Sequence, residues 1–169
     1  MERMIRLIES LNREGKGKVI EFLKESNFAT ARCYKHHTYS GGLLDHTLEV
    51  YDIMMKRRGN LPVESVTVCA LFHDLGKAKN AHIRVHKKQH QYKSIEILDK
   101  CGFKLTTEER RAIQDHHKKD LSYFTDSLRH CLSSSDMTSS GNWIVTNIAP
   151  NNNPAKNLKD LLLLEFSKL

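Results

Sequence analysis

The chain has 169 residues, 39% of them hydrophobic and 28% charged, with three prolines and eight glycines; this is the make-up of one globular domain with a real core, not of a low-complexity segment. No apolar stretch approaches the roughly 20 residues of a membrane helix, and Met1-Glu2-Arg3-Met4-Ile5-Arg6 lacks the apolar centre of a signal peptide. The net charge of +7 favours anionic partners such as nucleotides or nucleic acid.

The chain reads as one helix after another, an all-α pattern. Met4, Ile5, Leu7, Ile8 and Leu11 have helical spacing over 3–12. Gly15 and Gly17 interrupt it, and Val19, Ile20, Phe22 and Leu23 mark a helix over about 18–26. Residues 28–42 read as a loop that carries His36 and His37 and ends Ser40-Gly41-Gly42. Leu43 to Met55 forms a helix with a broad buried stripe, and His46 lies in its first turn beside that stripe. A histidine there is either packed core or a ligand. Lys56-Arg57-Arg58-Gly59 closes this helix, and Pro62 opens the next, which runs to about Lys77. Val63, Val66, Val68, Cys69, Ala70, Leu71, Phe72 and Leu75 leave it almost no polar face, so it should be central. Residues 78–88 read as a basic loop and 89–101 as a helix ended by Gly102. Thr106 or Thr107 caps the next helix, with Glu108 and Glu109 in its first turn, and it leads to Asp115-His116-His117. Further helices are expected over about 121–137 and 155–168, separated by an irregular, asparagine-rich stretch. Cys33, Cys69, Cys101 and Cys131 are far apart with no C-x-x-C pair, so reduced thiols in a cytoplasmic protein are expected.

His73-Asp74 ends the central apolar run, with Gly76 and Lys77 following. Neutral imidazole and carboxylate are ligands for a catalytic divalent metal. A carboxylate at the end of so apolar a helix is costly to bury unless it pairs or binds metal, which favours a ligand role for Asp74. Gly76 is expected to end or bend the helix and bring Lys77 round towards the site. His46 upstream, and His90, His116, His117 and Asp136 downstream, are further donors. His82, His86 and His90 share a spacing of four, so His86 is an alternative to His90, as His117 is to His116. Lys77, Lys79, Arg84, Lys87, Lys88 and Lys93 surround the pair in sequence and argue for an anionic substrate. His82 and His130 read as surface residues, and Tyr34, Tyr39 and Trp143 as candidate aromatic contacts.

The order His46, His73-Asp74, Asp136 resembles the H…HD…D signature of the HD-domain phosphohydrolase superfamily. Gly41-Gly42-Leu43-Leu44-Asp45-His46-Thr47 is similar to that family's G-G-L-x-x-H-[ST] segment. Leu71-Phe72-His73-Asp74-Leu75-Gly76-Lys77 is similar to its L-x-H-D-[IL]-G-K segment. The resemblance covers about residues 36–140 of a single domain over 1–169, with helices and loop flanking at 1–30 and 142–169. It implies an all-α HD-domain bundle with four ligands round one divalent ion of the Mn, Fe, Ni, Mg or Zn kind. HD proteins with a two-metal site, the HD-GYP cyclic-dinucleotide phosphodiesterases among them, have further histidines between the HD pair and the last Asp. By that resemblance His46, His73 and Asp136 would hold one metal, and His90 and His116 the second. His117 would be a further ligand, and Asp74 would bridge. Asp74 and Lys77 would be the catalytic residues, and Lys77, His36 and His117 the substrate contacts. The GYP motif is absent, so a cyclic dinucleotide is not specially favoured. The implied reaction is hydrolysis of a phosphoester in a nucleotide or nucleic acid. The alternatives are an HD-fold di-iron oxygenase, which shares the ligand order, and a non-catalytic binding module. Oligomeric state is open, with the apolar C-terminal helix the expected contact surface.

Overall fold

The computed structural model describes residues 1–33, 35–80, 82–83, 89–118 and 127–141. Among these the backbone forms seven α-helices and no strand, so the all-α reading holds. The N-terminal pair is α1 (Glu2–Glu9) and α2 (Lys16–Glu25). The body is α3 (Gly42–Arg57), α4 (Val63–Phe72), α5 (His90–Lys100), α6 (Thr107–Asp115) and α7 (Leu128–Ser139), with a 3-10 turn at Leu75–Lys77. The segments expected beyond residue 141, most of the basic loop with Arg84, His86, Lys87 and Lys88, and Tyr34 and Trp143 lie outside the described residues. None of the described helices is long and apolar enough to cross a membrane.

α4 is the centre, packed by α3, α6 and α7. Val66, Val68, Cys69, Ala70, Leu71 and Phe72 have no solvent exposure, as a helix apolar on every face requires. The Phe72 ring meets Phe103 edge-on, with centroids 5.2 Å apart; burying such a ring contributes about 1.5–3 kcal/mol. All four cysteines are buried and unpaired.

The long helix read over 62–77 is in fact broken. α4 ends at Phe72, Asp74 departs from helical geometry with φ −107° and ψ 9°, and the 3-10 turn follows. The cause is the approach of α5. A Cβ on Gly76 would fall 2.1 Å from the His90 carbonyl oxygen and 2.7 Å from the Ser94 nitrogen. At this contact Ser94 Oγ accepts the Gly76 N–H (2.8 Å) and donates to the His73 carbonyl (2.9 Å), bonds that a continued helix would have made within itself. Gly42 is a second close approach, where a Cβ would lie 1.9 Å from the His37 carbonyl oxygen. It presses the His36-His37 loop onto the first turn of α3, which carries His46.

Other boundaries differ from the sequence reading or decide what it left open. The first helix is shorter, ending at Glu9. α7 runs on to Ser139, so Asp136 sits in its last turn. Thr106 is the cap of α6, in a reciprocal box with Glu109: Thr106 Oγ1 accepts the Glu109 N–H (3.1 Å) and Glu109 Oε2 accepts the Thr106 N–H (2.8 Å). Glu109 is fully buried. Its other oxygen accepts from Ser65 (2.7 Å) and Arg13 (2.8 Å), which ties the segment after α1 to the body.

Candidate metal centre

Helix ends deliver the donors to one place. His46 comes from the first turn of α3 and His73 and Asp74 from the end of α4. His90 opens α5, His116 and His117 follow α6, and Asp136 lies in the last turn of α7. His46 Nε2 lies 3.1 Å from Asp136 Oδ1 and 3.5 Å from Asp74 Oδ2, and His73 Nε2 lies 3.5 Å from the same Asp74 oxygen. His46, His73 and Asp136 thus form one group, with donor atoms within 4.8 Å of one another. His90, His116 and His117 form a second group of the same tightness. Asp74 stands between them, since its Oδ1 lies 3.2 Å from His90 Nε2. His117 reaches both sides: its Nε2 is 3.0 Å from His90 Nε2 and its Nδ1 is 3.8 Å from Asp136 Oδ2.

The donor chemistry fits a cation. His73 Nδ1 donates to the Ala70 carbonyl (2.9 Å) and His116 Nδ1 to the Ile113 carbonyl (2.6 Å), each one turn back in its own segment. That fixes the tautomer and leaves Nε2 as a bare lone pair. Both Nε2 atoms are buried and have no hydrogen-bond partner. Leaving such an atom unsatisfied costs about 1–3 kcal/mol, which a metal ion in the common space would offset. Burial lowers His73 to about 3 and His90 to about 4, so both are neutral at physiological pH. Burial pushes Asp74 up, but the imidazoles around it, His73 first, together with Lys77 outweigh burial and hold it well below the usual carboxylate range. Asp136 is also lowered: burial opposes ionisation, and the hydrogen bond from His46 overcomes it. For His46, burial works downward, and hydrogen bonds to Asp136 and Asp74 raise it to about 9. Neutral imidazoles and ionised carboxylates are the forms that bind metal.

Lys77 Nζ contacts Asp74 Oδ2, and its side chain is 26% exposed. The His36 ring lies on the rim, 4.6 Å from the His46 ring. His82 is exposed, as read, whereas His130 is half-buried in a cleft with Arg57 and Arg58. His86 lies outside the described residues. Sequence reasoning missed several supports. Ser139 Oγ lies 2.9 Å from His46 Nδ1, Ser133 Oγ donates to the His116 carbonyl (2.6 Å), and Glu49 Oε2 lies 3.1 Å from His37 Nε2. The run Ser133-Ser134-Ser135 gave the only local signal, a small-residue face suited to close packing.

Compared with known proteins, the chain matches the HD domain family model over residues 43–150, more than half of its length. No curated protein and no solved structure in the comparisons matches it. The match contains His46, the His73-Asp74 pair and Asp136 in that order. On this match the chain belongs to the HD-domain family of metal-dependent hydrolases.

Proposed function

We propose that the chain is a phosphohydrolase or phosphodiesterase that uses one or two divalent ions to hydrolyse the phosphoester of a nucleotide or nucleic acid. Asp74 carries this reading. It is 1% exposed, and its two oxygens face different histidine groups, the arrangement of a carboxylate shared by two cations. His46, His73 and Asp136 would hold one ion, and His90 and His116, with His117, the other. Bound there, divalent ions supply Lewis-acid stabilisation of phosphoryl oxygens and acidify water. Lys77 is the catalytic partner of Asp74 in this reading. Its ammonium is both paired and partly exposed, so an arriving phosphate gains a positive charge already held in place. His36 and His117, on the rim, are the further substrate contacts. The net charge of +7 supports an anionic substrate. The bond from Arg13 to Glu109 supports the reading of the N-terminal helices and the body as one domain.

The test is to incubate Mn-loaded protein, without oxygen, with nucleoside phosphates, cyclic nucleotides and short oligonucleotides. Phosphate or nucleotide release that is lost in Asp74→Asn is expected. Turnover that requires oxygen would instead move the assignment to the oxygenases that share this ligand order.

A further inference from the structure

Glu49 belongs to none of the three donor groups, the third being His36, His37 and His46, yet two chains of contacts that begin at the metal centre end on it. Its Oε2 accepts the Ser139 hydroxyl (2.7 Å), and the same oxygen lies 3.1 Å from His37 Nε2. A serine hydroxyl has one proton, and a carboxylate only accepts. The Ser139 proton therefore points to Glu49, and Ser139 Oγ takes the Nδ1–H of His46 across 2.9 Å. His46 Nε2 is then the nitrogen turned towards Asp136 and Asp74. On the other arm, Glu49 takes the Nε2–H of His37, whose Nδ1 lies 3.1 Å from His36 Nδ1. His36 in turn rests against the His46 ring. His37 has φ +47°, a left-handed conformation uncommon for a residue with a side chain, so something must hold it. The bond to Glu49 and the Cys33 N–H on the His37 carbonyl (3.2 Å) do so.

We propose that Glu49 is a positioning residue of the metal centre. Through Ser139 it fixes His46 in the tautomer and orientation that present Nε2 to the ion. Through His37 it holds the His36 ring against that same ligand. This rests on His46 being a ligand, as proposed above. A surface acid with no such role would meet neither arm, and Ser139, nearly buried, would not need a carboxylate at all.

The experiment measures Co(II) affinity by competition with a chromophoric chelator, together with the visible spectrum of the bound cobalt. Ser139→Ala and Glu49→Ala are each expected to weaken affinity about 10- to 100-fold, as outer partners of metal-binding histidines do, and to change the cobalt absorption bands. The double variant should lose little more than the worse single one, because both residues act in one chain. Ser139→Thr and Glu49→Gln, which keep the hydroxyl and an acceptor oxygen, should retain most of the affinity. They decide the matter if an alanine variant fails to fold, and melting of the metal-free proteins shows which do fold. Wild-type affinity in either Glu49→Ala or Ser139→Ala, or fully additive losses, overturns the proposal while leaving the metal centre standing. Absence of cobalt binding by the wild-type chain overturns the centre itself, and the role of Glu49 with it.

Discussion

Gly76 and His90 meet so closely that a Cβ on Gly76 would lie 2.1 Å from the His90 carbonyl oxygen. The obstructing atom is backbone, so neither side can yield by turning a side chain. The contact sets where α5 starts, and His90 Nε2 therefore stands 3.2 Å from Asp74 Oδ1. Gly76→Ala is expected to push the first turn of α5 outward and cost about 1–3 kcal/mol, the range for overpacking a tight site. Urea unfolding of the variant measures this. Parental stability with parental metal uptake would show that the approach is not required.

Arg13 and Glu109 make a second long-range contact with a separate consequence. Glu109 is fully buried and bonds the two terminal nitrogens of the Arg13 guanidinium, at 2.8 and 3.2 Å. Removing Arg13 leaves a carboxylate without its countercharge, which costs about 3 kcal/mol or more. Arg13→Ala should therefore lower the melting temperature clearly, and Arg13→Ala with Glu109→Gln should recover part of the loss. Equal stability of the two variants would contradict a charge-based account.

These two contacts show where the sequence was legible and where it was not. The helices of the body other than α4 could be read because apolar positions recur at helical spacing between glycines, prolines and caps. Thr106 was readable as a cap because the pattern that signals it is local. The end of α4 at Phe72 was not, because a run apolar on every side has no period to break, and the bend comes from α5 pressing on Gly76. The grouping of His46, His73, Asp74 and Asp136 came from motif resemblance. Ser139 and Glu49 are 90 positions apart, and Arg13 and Glu109 are 96 apart. Such pairs leave no spacing to find in one chain.

The pH dependence of metal binding follows from His46. Without metal, its carboxylate partners keep it protonated up to about pH 9 despite burial. His73 and His90, at about 3 and about 4, are already neutral well below that. A metal binding at His46 must expel one proton, so affinity should rise about tenfold per pH unit between roughly pH 6 and pH 8. Calorimetry in buffers of differing ionisation enthalpy should find about one proton released per chain. A flat profile over that range would contradict it.

Lys77→Met tests the substrate side of the proposal. The proposed metal ligands are untouched, so metal content should hold. Loss of one preorganised positive charge should lower kcat/KM by about 100-fold on the hydrolysed phosphoester. An active variant with unchanged kcat/KM would assign Lys77 only to pairing with Asp74.

The most direct measurement is elemental analysis of protein purified without chelator, wild type beside Asp74→Ala. The account predicts about one or two transition-metal ions per chain in the wild type, two where Asp74 bridges both histidine groups as in a two-cation phosphoryl-transfer site, and their loss in the variant. A wild-type chain that holds no metal even after soaking in Mn, or a variant that keeps its full complement, would contradict it.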